Sequence, residues 1–195
     1  MQWEHITALA LFAFVSTFTP GPNNLMLMTS GANVGFNKSI PHMLGVTIGF
    51  PVMVMLVGFG LVELFERYPM VHQILKVVSL TYLIYLAYRI ARSQPPQGNE
   101  INYQPLSFFK AACFQWVNPK GWSMALTAVT VYNPENSLLG LALIALIYAI
   151  ANIPSGSFWI VAGKQLQYFL TNNTRIRLFN YTMAALLIAS TLPMI

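Results

Sequence analysis

Two short polar breaks interrupt apolar stretches that otherwise have the composition of membrane-spanning helices. The first break is Pro20-Gly21-Pro22-Asn23-Asn24, inside the stretch from Ile6 to Met28, and the second is Asn118-Pro119-Lys120-Gly121, inside the stretch from Phe108 to Val131. Proline frees backbone groups from their helical partners, and asparagine and lysine add polar side chains at the same points. Interrupted hydrophobic segments at corresponding positions in two halves of a chain are typical of a transporter's substrate site.

The first break offers binding groups for both signs of charge. Pro20 and Pro22 donate no backbone hydrogen bond and disfavour helical geometry in the residue before each, so we expect the helix to open around Phe18 to Gly21. Freed backbone groups in hydrocarbon are tolerated only where they are buried in protein or line a wet cavity. The N–H groups at Asn23 and Asn24 suit a carboxylate, and the carbonyls that end the first half-helix suit an ammonium. The alternative is a proline kink that serves packing alone.

The second break adds a full charge. A lysine near the middle of a bilayer costs about 2.5 to 3.5 kcal/mol on insertion scales, and it usually faces a cavity or a partner. The predicted spans contain no acidic residue, so the partner of Lys120 is a backbone carbonyl, water or an anionic group of a substrate. The alternative is that Lys120 extends to the membrane interface along its alkyl chain. Asn152, in a later apolar segment, either faces the same cavity or forms an interhelical hydrogen bond.

The candidate site is therefore one for a small-molecule substrate, and we predict no cofactor, metal site or catalytic set. The candidate substrate-binding residues are Pro20, Gly21, Pro22, Asn23, Asn24, Asn118, Pro119, Lys120 and Asn152. The chain has no aspartate and no His-Glu-x-x-His helix, which disfavours an intramembrane enzyme. Its one cysteine, Cys113, allows neither an intramolecular disulfide nor a thiol metal cluster. A structural or regulatory membrane subunit remains the alternative, since it needs no chemistry.

The composition indicates that lipid surrounds most of the chain. Only 8% of the 195 residues are charged and 56% are hydrophobic, with a mean hydropathy of +0.58. Soluble domains have about a quarter charged residues. The net charge of +5 is therefore interpreted as a membrane-topology signal and not as a nucleic-acid surface.

Six apolar segments are long enough to cross the bilayer, which needs about 20 residues each. They predict an all-α membrane protein with six transmembrane helices, of which the first and fourth are broken. A polar linker, residues 93–105, separates residues 1–92 from residues 106–195, and three spans per half predict two inverted repeats of one transporter domain. The segments are Ile6 to Thr29, Ile40 to Leu61, Val71 to Ile90, Phe108 to Val131, Leu138 to Val161 and Ile176 to Met194.

The distribution of cations predicts the orientation. One side of the predicted membrane carries Lys38, Arg89, Arg92, Lys110, Lys164, Arg175 and Arg177, and the other carries Arg67 and Lys76. Cytoplasmic loops carry the excess of lysine and arginine. We therefore expect the linker in the cytoplasm and both termini outside.

Several motifs, in order and over nearly the whole chain, resemble the LysE/RhtB family of bacterial amino-acid exporters. They are Thr19-Pro20-Gly21-Pro22-Asn23-Asn24, Gly35-Phe36, Gly45-x-x-x-Gly49-Phe50, Tyr82-Leu83-Ile84-Tyr85-Leu86-Ala87 and Phe114-Gln115-Trp116-Val117-Asn118-Pro119-Lys120. The resemblance implies a six-helix protein of the bacterial inner membrane that exports amino acids or close derivatives and is driven by protons. Within the family, the form of both breaks is similar to the cysteine/O-acetylserine exporters.

The residues narrow the substrate further. A cationic side chain would need a carboxylate in the cavity, and the predicted spans contain none. We therefore expect small neutral amino acids such as cysteine, O-acetylserine, homoserine or threonine. The group that couples transport to protons is left open, as is a homodimer, because a Gly45-x-x-x-Gly49 motif serves packing inside a bundle as well as between chains.

Overall fold

The computed structural model describes residues 3–61, 67–93, 103–135 and 137–190. Within these ranges all regular structure is helical, which confirms the all-α prediction. The helices are α1 (Trp3–Phe18), α2 (Pro22–Leu56), α3 (Pro69–Ala91), α4 (Phe108–Phe114), α5 (Pro119–Tyr132), α6 (Leu138–Leu166) and α7 (Asn173–Ala189). A π-helical turn, Val57–Leu61, extends α2, and a 3₁₀ turn, Gln115–Val117, follows α4.

Among the described residues, three helical stretches are long and apolar enough to cross a membrane. By length and composition these are Pro22–Leu61, Gln73–Ala91 and Leu138–Leu166, and α1 is a shorter apolar helix. In the six predicted segments, the described residues are helical except around the two breaks and at Ser190, a turn residue after the last helix. The end of the sixth segment, residues 191–194, and most of the linker, residues 94–102, lie outside the described residues.

Local sequence chemistry determines where the helices around the breaks begin. Pro22 and Pro119 occupy the first turns of α2 and α5, where the N–H group that proline lacks would have no helical partner. Ser107, Ser137 and Asn172 cap α4, α6 and α7 through their side-chain oxygens. These oxygens accept from the backbone N–H groups of Lys110, Gly140 and Arg175.

Helix α2 is interrupted at Gly35 and consists of two arms. Gly35 has φ 79° and ψ −175°, a conformation almost restricted to glycine. We call residues 22–34 the first arm and residues 36–56 the second arm. Leu27 and Met43 would lie about 24 Å apart along a straight helix. Their side chains nevertheless both lie against Gly156 of α6. The chain therefore folds back at Gly35, where the sequence predicts the connection between the first two segments.

Contacts with α6 give the direction of each arm. Late in the first arm, the carbonyl of Ala32 accepts from Gln167 Nε2 at 2.7 Å, just beyond the end of α6. Late in the second arm, the ring centroid of Phe50 lies 4.8 Å from that of Tyr148, in the first half of α6. The first arm therefore runs parallel to α6, and the second arm runs antiparallel to it.

Two glycines of the second arm allow α4 to approach closely. Gly45 lies against the carbonyl of Phe108 and the side chain of Ala111, and Gly49 lies against Ala112. A Cβ atom at Gly49 would lie 2.6 Å from the Cα of Ala112. The Gly45-x-x-x-Gly49 motif thus serves packing inside the bundle, and this packing places α4 and the second break beside the second arm.

Candidate functional site

The two breaks, about a hundred residues apart in sequence, are joined by side-chain hydrogen bonds. From the second break, Lys120 Nζ donates to the carbonyl and the hydroxyl oxygen of Thr19, at 2.5 and 2.8 Å. Asn23 Nδ2 donates to Gln115 Oε1 at 2.9 Å, and Gln115 Nε2 donates back to Asn23 Oδ1 at 3.4 Å. The two sequence features therefore belong to one site.

The carbonyl end of α1 is filled by protein donors. The carbonyl of Thr17 accepts from Asn24 Nδ2 at 2.6 Å and from Ser155 Oγ at 2.8 Å. The carbonyl of Thr19 accepts from Asn24 Nδ2 at 2.8 Å and from Lys120 Nζ. Each carbonyl oxygen has two lone pairs, so both are saturated. The expectation that these carbonyls stay free for an ammonium is wrong for this conformation, because Asn24, Ser155 and Lys120 occupy them.

Gly21 makes room for the lysine that crosses between the breaks. Its backbone is extended, with φ −173° and ψ 176°. A Cβ atom added to it would lie 2.6 Å from Cδ of Lys120. Lys120 is half-buried among these groups, and its ammonium is held by Thr19. Lys120 lines the cavity between the breaks and bonds to Thr19.

A small cavity lies between the breaks and has a volume of about 30 Å³. Asn118 Oδ1 and Asn152 Nδ2 are both buried without a hydrogen-bond partner, and both residues line this cavity. An unsatisfied buried polar group costs about 1–3 kcal/mol, so these atoms favour a polar occupant. The space suits one or two water molecules, and a larger occupant requires the breaks to separate.

Six of the nine candidate residues line this cavity, and the other three shape the helix ends beside it. The lining residues among the candidates are Gly21, Asn23, Asn24, Asn118, Lys120 and Asn152. Pro20 lies in the non-helical link, and Pro22 and Pro119 begin α2 and α5. The structure thus collects all nine around one point, including Asn152 from α6.

Sequence reasoning missed three residues that hold the breaks together. Thr19 and Gln115 each flank a break and bond across to the other one, and Ser155 donates to α1 from α6. Gln115 carried a signal, since it is an amide in an apolar run three residues before Asn118. Ser155 carried only its position after Pro154, which fits an ordinary kink equally well.

Replacing Asn24 by aspartate tests whether the bonds from Asn24 to the carbonyls of Thr17 and Thr19 stabilise the fold. The variant keeps the shape of the side chain but replaces the donor Nδ2 by an oxygen that faces two carbonyls. We expect the free energy of unfolding to fall by about 2 kcal/mol or more, measured as a lower thermal midpoint in detergent. Asn37→Asp is the matched control because Asn37 is exposed. Equal midpoints for the two variants would contradict this account of Asn24.

Comparison with known proteins agrees with the motifs at the breaks. The LysE type translocator family matches residues 14–192. The chain is similar to the cysteine/O-acetylserine efflux proteins of Klebsiella pneumoniae subsp. pneumoniae (29% identical over 193 residues, 94% of this chain and 93% of that protein) and Salmonella paratyphi A (27% over 168 residues, 83% and 84%). A third, from Escherichia coli O139:H28, is 25% identical over 185 residues (94% and 93%). No solved structure matches this chain. Since the family match includes both breaks, the chain belongs to the LysE type translocators and is a membrane-embedded transporter.

Proposed function

We propose that this protein is a secondary-active exporter of small neutral amino acids or their derivatives, such as cysteine, O-acetylserine, homoserine or threonine. The family, together with relatives that are cysteine/O-acetylserine efflux proteins, supports amino-acid export. The observation that carries the proposal is the cavity between the breaks, where Lys120 and two unpartnered amide atoms converge. We place the protein in the bacterial inner membrane with the substrate bound at this cavity.

The chemistry of the cavity suits the two charged groups common to amino acids. Asn118 Oδ1 can accept from an ammonium, and Asn152 Nδ2 can donate to a carboxylate. Lys120 Nζ can supply the positive charge for the carboxylate if it leaves Thr19. No carboxylate is found among the described residues that line the cavity. A cationic side chain would thus lack a counter-charge, which supports a neutral substrate.

Binding and opening are coupled through Lys120 in this proposal. A substrate carboxylate competes with Thr19 for the ammonium of Lys120. When the carboxylate binds the ammonium, the hydrogen bonds from Lys120 to Thr19, which join the two breaks, are lost. A ligand shifts a conformational equilibrium only by its differential affinity for the two states. The substrate therefore favours a state in which the second break has moved away from α1, as alternating access requires.

We propose six membrane crossings arranged as two inverted repeats. Pro119 minus Pro22 is an offset of 97, and this offset places α5, residues 119–132, opposite residues 22–35. The same offset places α7, residues 173–189, opposite residues 76–92, which cover most of α3. Helix α5 also runs antiparallel to α1. Lys120, at the start of α5, bonds to Thr19 just after the end of α1, while the ring centroid of Tyr132, at the end of α5, lies 5.9 Å from that of Phe12. These correspondences support the repeat that the sequence predicts.

Proton drive, implied by the resemblance, calls for a titratable group within the bundle, and we propose His42. His42 lies in the second arm, is 0% exposed and has no hydrogen-bond partner at either ring nitrogen. Ionisable residues inside membrane proteins commonly belong to proton relays. Because His42 does not line the cavity between the breaks, the proton and the amino acid would use separate sites.

Export of preloaded radiolabelled cysteine or O-acetylserine from proteoliposomes tests the substrate site. We expect Lys120→Met to reduce the rate by roughly tenfold or more, the equivalent of one charge-assisted hydrogen bond of about 1.5–3 kcal/mol. Lys110→Met is the control because Lys110 is exposed in the neighbouring helix. Undiminished export by Lys120→Met would contradict the site assignment. Wild-type protein that exports none of the four proposed compounds would contradict the proposed function.

Separate assays of exchange and gradient-driven transport test the role of His42. We expect His42→Gln to retain substrate exchange between equal pools and to lose accumulation driven by a proton gradient. His5→Gln, which removes an exposed imidazole from α1, should leave both unchanged. If His42→Gln still accumulates substrate like wild type, the proton is carried elsewhere.

Single cysteines test the orientation in intact cells. In a Cys113→Ser background, which has no cysteine, we place Glu135→Cys in the exposed link between α5 and α6 and Thr171→Cys in the exposed link between α6 and α7. A membrane-impermeant maleimide should label residue 135 from outside and residue 171 only after permeabilisation. The reverse pattern would invert the topology, and labelling of both from outside would contradict six crossings.

A further inference from the structure

A groove between α3 and α7 has the features of a site for a phosphate group. It has a volume of about 460 Å³ and lies at the C-terminal end of α3 and the N-terminal part of α7. This groove is separate from the cavity between the breaks and shares no lining residue with it. It is lined by Tyr88, Ala91, Arg92, Ser93, Arg177 and Tyr181.

The groove concentrates positive charge from two helices. Arg92 comes from the end of α3 and Arg177 from the second turn of α7. No carboxylate is present among the described residues that line it. Guanidinium groups bind phosphate oxygens through paired, charge-assisted hydrogen bonds. Two arginines facing one groove are therefore suited to a single phosphate.

The walls of the groove are partly preorganised. The guanidinium of Arg92 lies over the ring of Tyr88, 5.0 Å from its centroid, an arrangement that restricts the arginine and leaves its N–H edge for a ligand. On the inner side, buried Asn180 Nδ2 donates to the carbonyl of Ser93 at 3.0 Å. This bond ties α7 to the end of α3 behind the groove. The two helices that carry the arginines are consequently joined at the level of the groove.

The surroundings of the groove suit the boundary between lipid chains and headgroups. Tyr88 and Tyr181 are 52% and 57% exposed, and Leu178 beside them is 65% exposed. Tyrosine is enriched at the level of lipid headgroups, where one end of the ring is apolar and the other is wet. The apolar exposed surface continues along the same two helices at Ile84 and Ile188. A molecule with a phosphate and long acyl chains could contact both surfaces.

We propose that this groove binds the headgroup phosphate of an anionic phospholipid. Arg92 and Arg177 contact the phosphate, while Tyr88 and Tyr181 flank the glycerol region and the acyl chains follow the exposed faces of α3 and α7. Basic pockets between membrane helices are known sites for anionic lipid headgroups. Since α3 and α7 are the third helices of the two proposed halves, the lipid would join the halves away from the substrate cavity.

Native mass spectrometry of the purified full-length protein tests this site without any transport assay. Phosphatidylglycerol and phosphatidylcholine with identical acyl chains are added in turn, and we expect wild-type protein to retain phosphatidylglycerol preferentially. The double variant Arg92→Gln/Arg177→Gln should lose that preference, by roughly fivefold for each arginine. The proposed export function can fail while this lipid preference persists, and the reverse also holds.

The matched control is Arg89→Gln/Arg175→Gln, which removes the same charge from the same two helices. Neither Arg89 nor Arg175 lines the groove. Arg175 donates to the carbonyl of Phe169, and Arg89 lines a neighbouring cavity. This control should keep most of the preference. Equal losses in the two double variants would overturn the proposal in favour of general electrostatic attraction.

Two further outcomes decide the source of the phosphate. Inorganic phosphate, added at the same concentration as the lipid, should not displace phosphatidylglycerol, because it lacks the acyl chains that the exposed faces would hold. Complete displacement would make the groove a site for free phosphate and would overturn the lipid assignment. A wild-type protein that retains both lipids equally would overturn it as well, whatever the variants do.

Discussion

The carbonyl groups that end α1 constrain much of this structure. A helix that stops inside an apolar bundle exposes carbonyls that apolar side chains cannot satisfy, and the carbonyls of Thr17 and Thr19 each accept from two donors. Those donors come from the first arm, from α5 and from α6, through Asn24, Lys120 and Ser155. One interrupted helix thus draws three other helical segments together. At the candidate site, side chains of the bundle thus bond to the backbone carbonyls that the end of α1 leaves without helical partners.

This arrangement explains how an apolar helical bundle can hold a lysine without a carboxylate. No ion pair is found for Lys120 among the described residues, and two oxygens of Thr19 accept from it instead. Neutral acceptors stabilise an ammonium less than a full counter-charge does. In the proposed function, a substrate carboxylate would therefore replace Thr19 at small net cost, whereas it would not easily displace an aspartate.

The sequence predicted the parts of the site that depend on local chemistry. Proline limits its own helix and the residue before it, so the end of α1 and the starts of α2 and α5 follow from Pro20, Pro22 and Pro119. The turn at Gly35 was expected only as a link between segments, because a positive φ leaves no trace in the sequence beyond the glycine itself. The partners of the carbonyls could not be predicted, since the bond from Ser155 to Thr17 spans 138 positions and depends on how α6 packs.

Under the proposed function, the ties between the breaks also indicate which motion would admit a substrate. The cavity of about 30 Å³ is large enough for water but not for an amino acid, so binding of the proposed substrate there would require the two breaks to separate. Two direct ties hold them, the bonds of Lys120 to Thr19 and the amide pair of Asn23 with Gln115. Asn24 bonds within the first break and would move with α1. Opening therefore breaks few bonds if α4 and α5 move as a unit against α1 and the first arm, and a substrate bonded to Lys120 replaces part of what is lost.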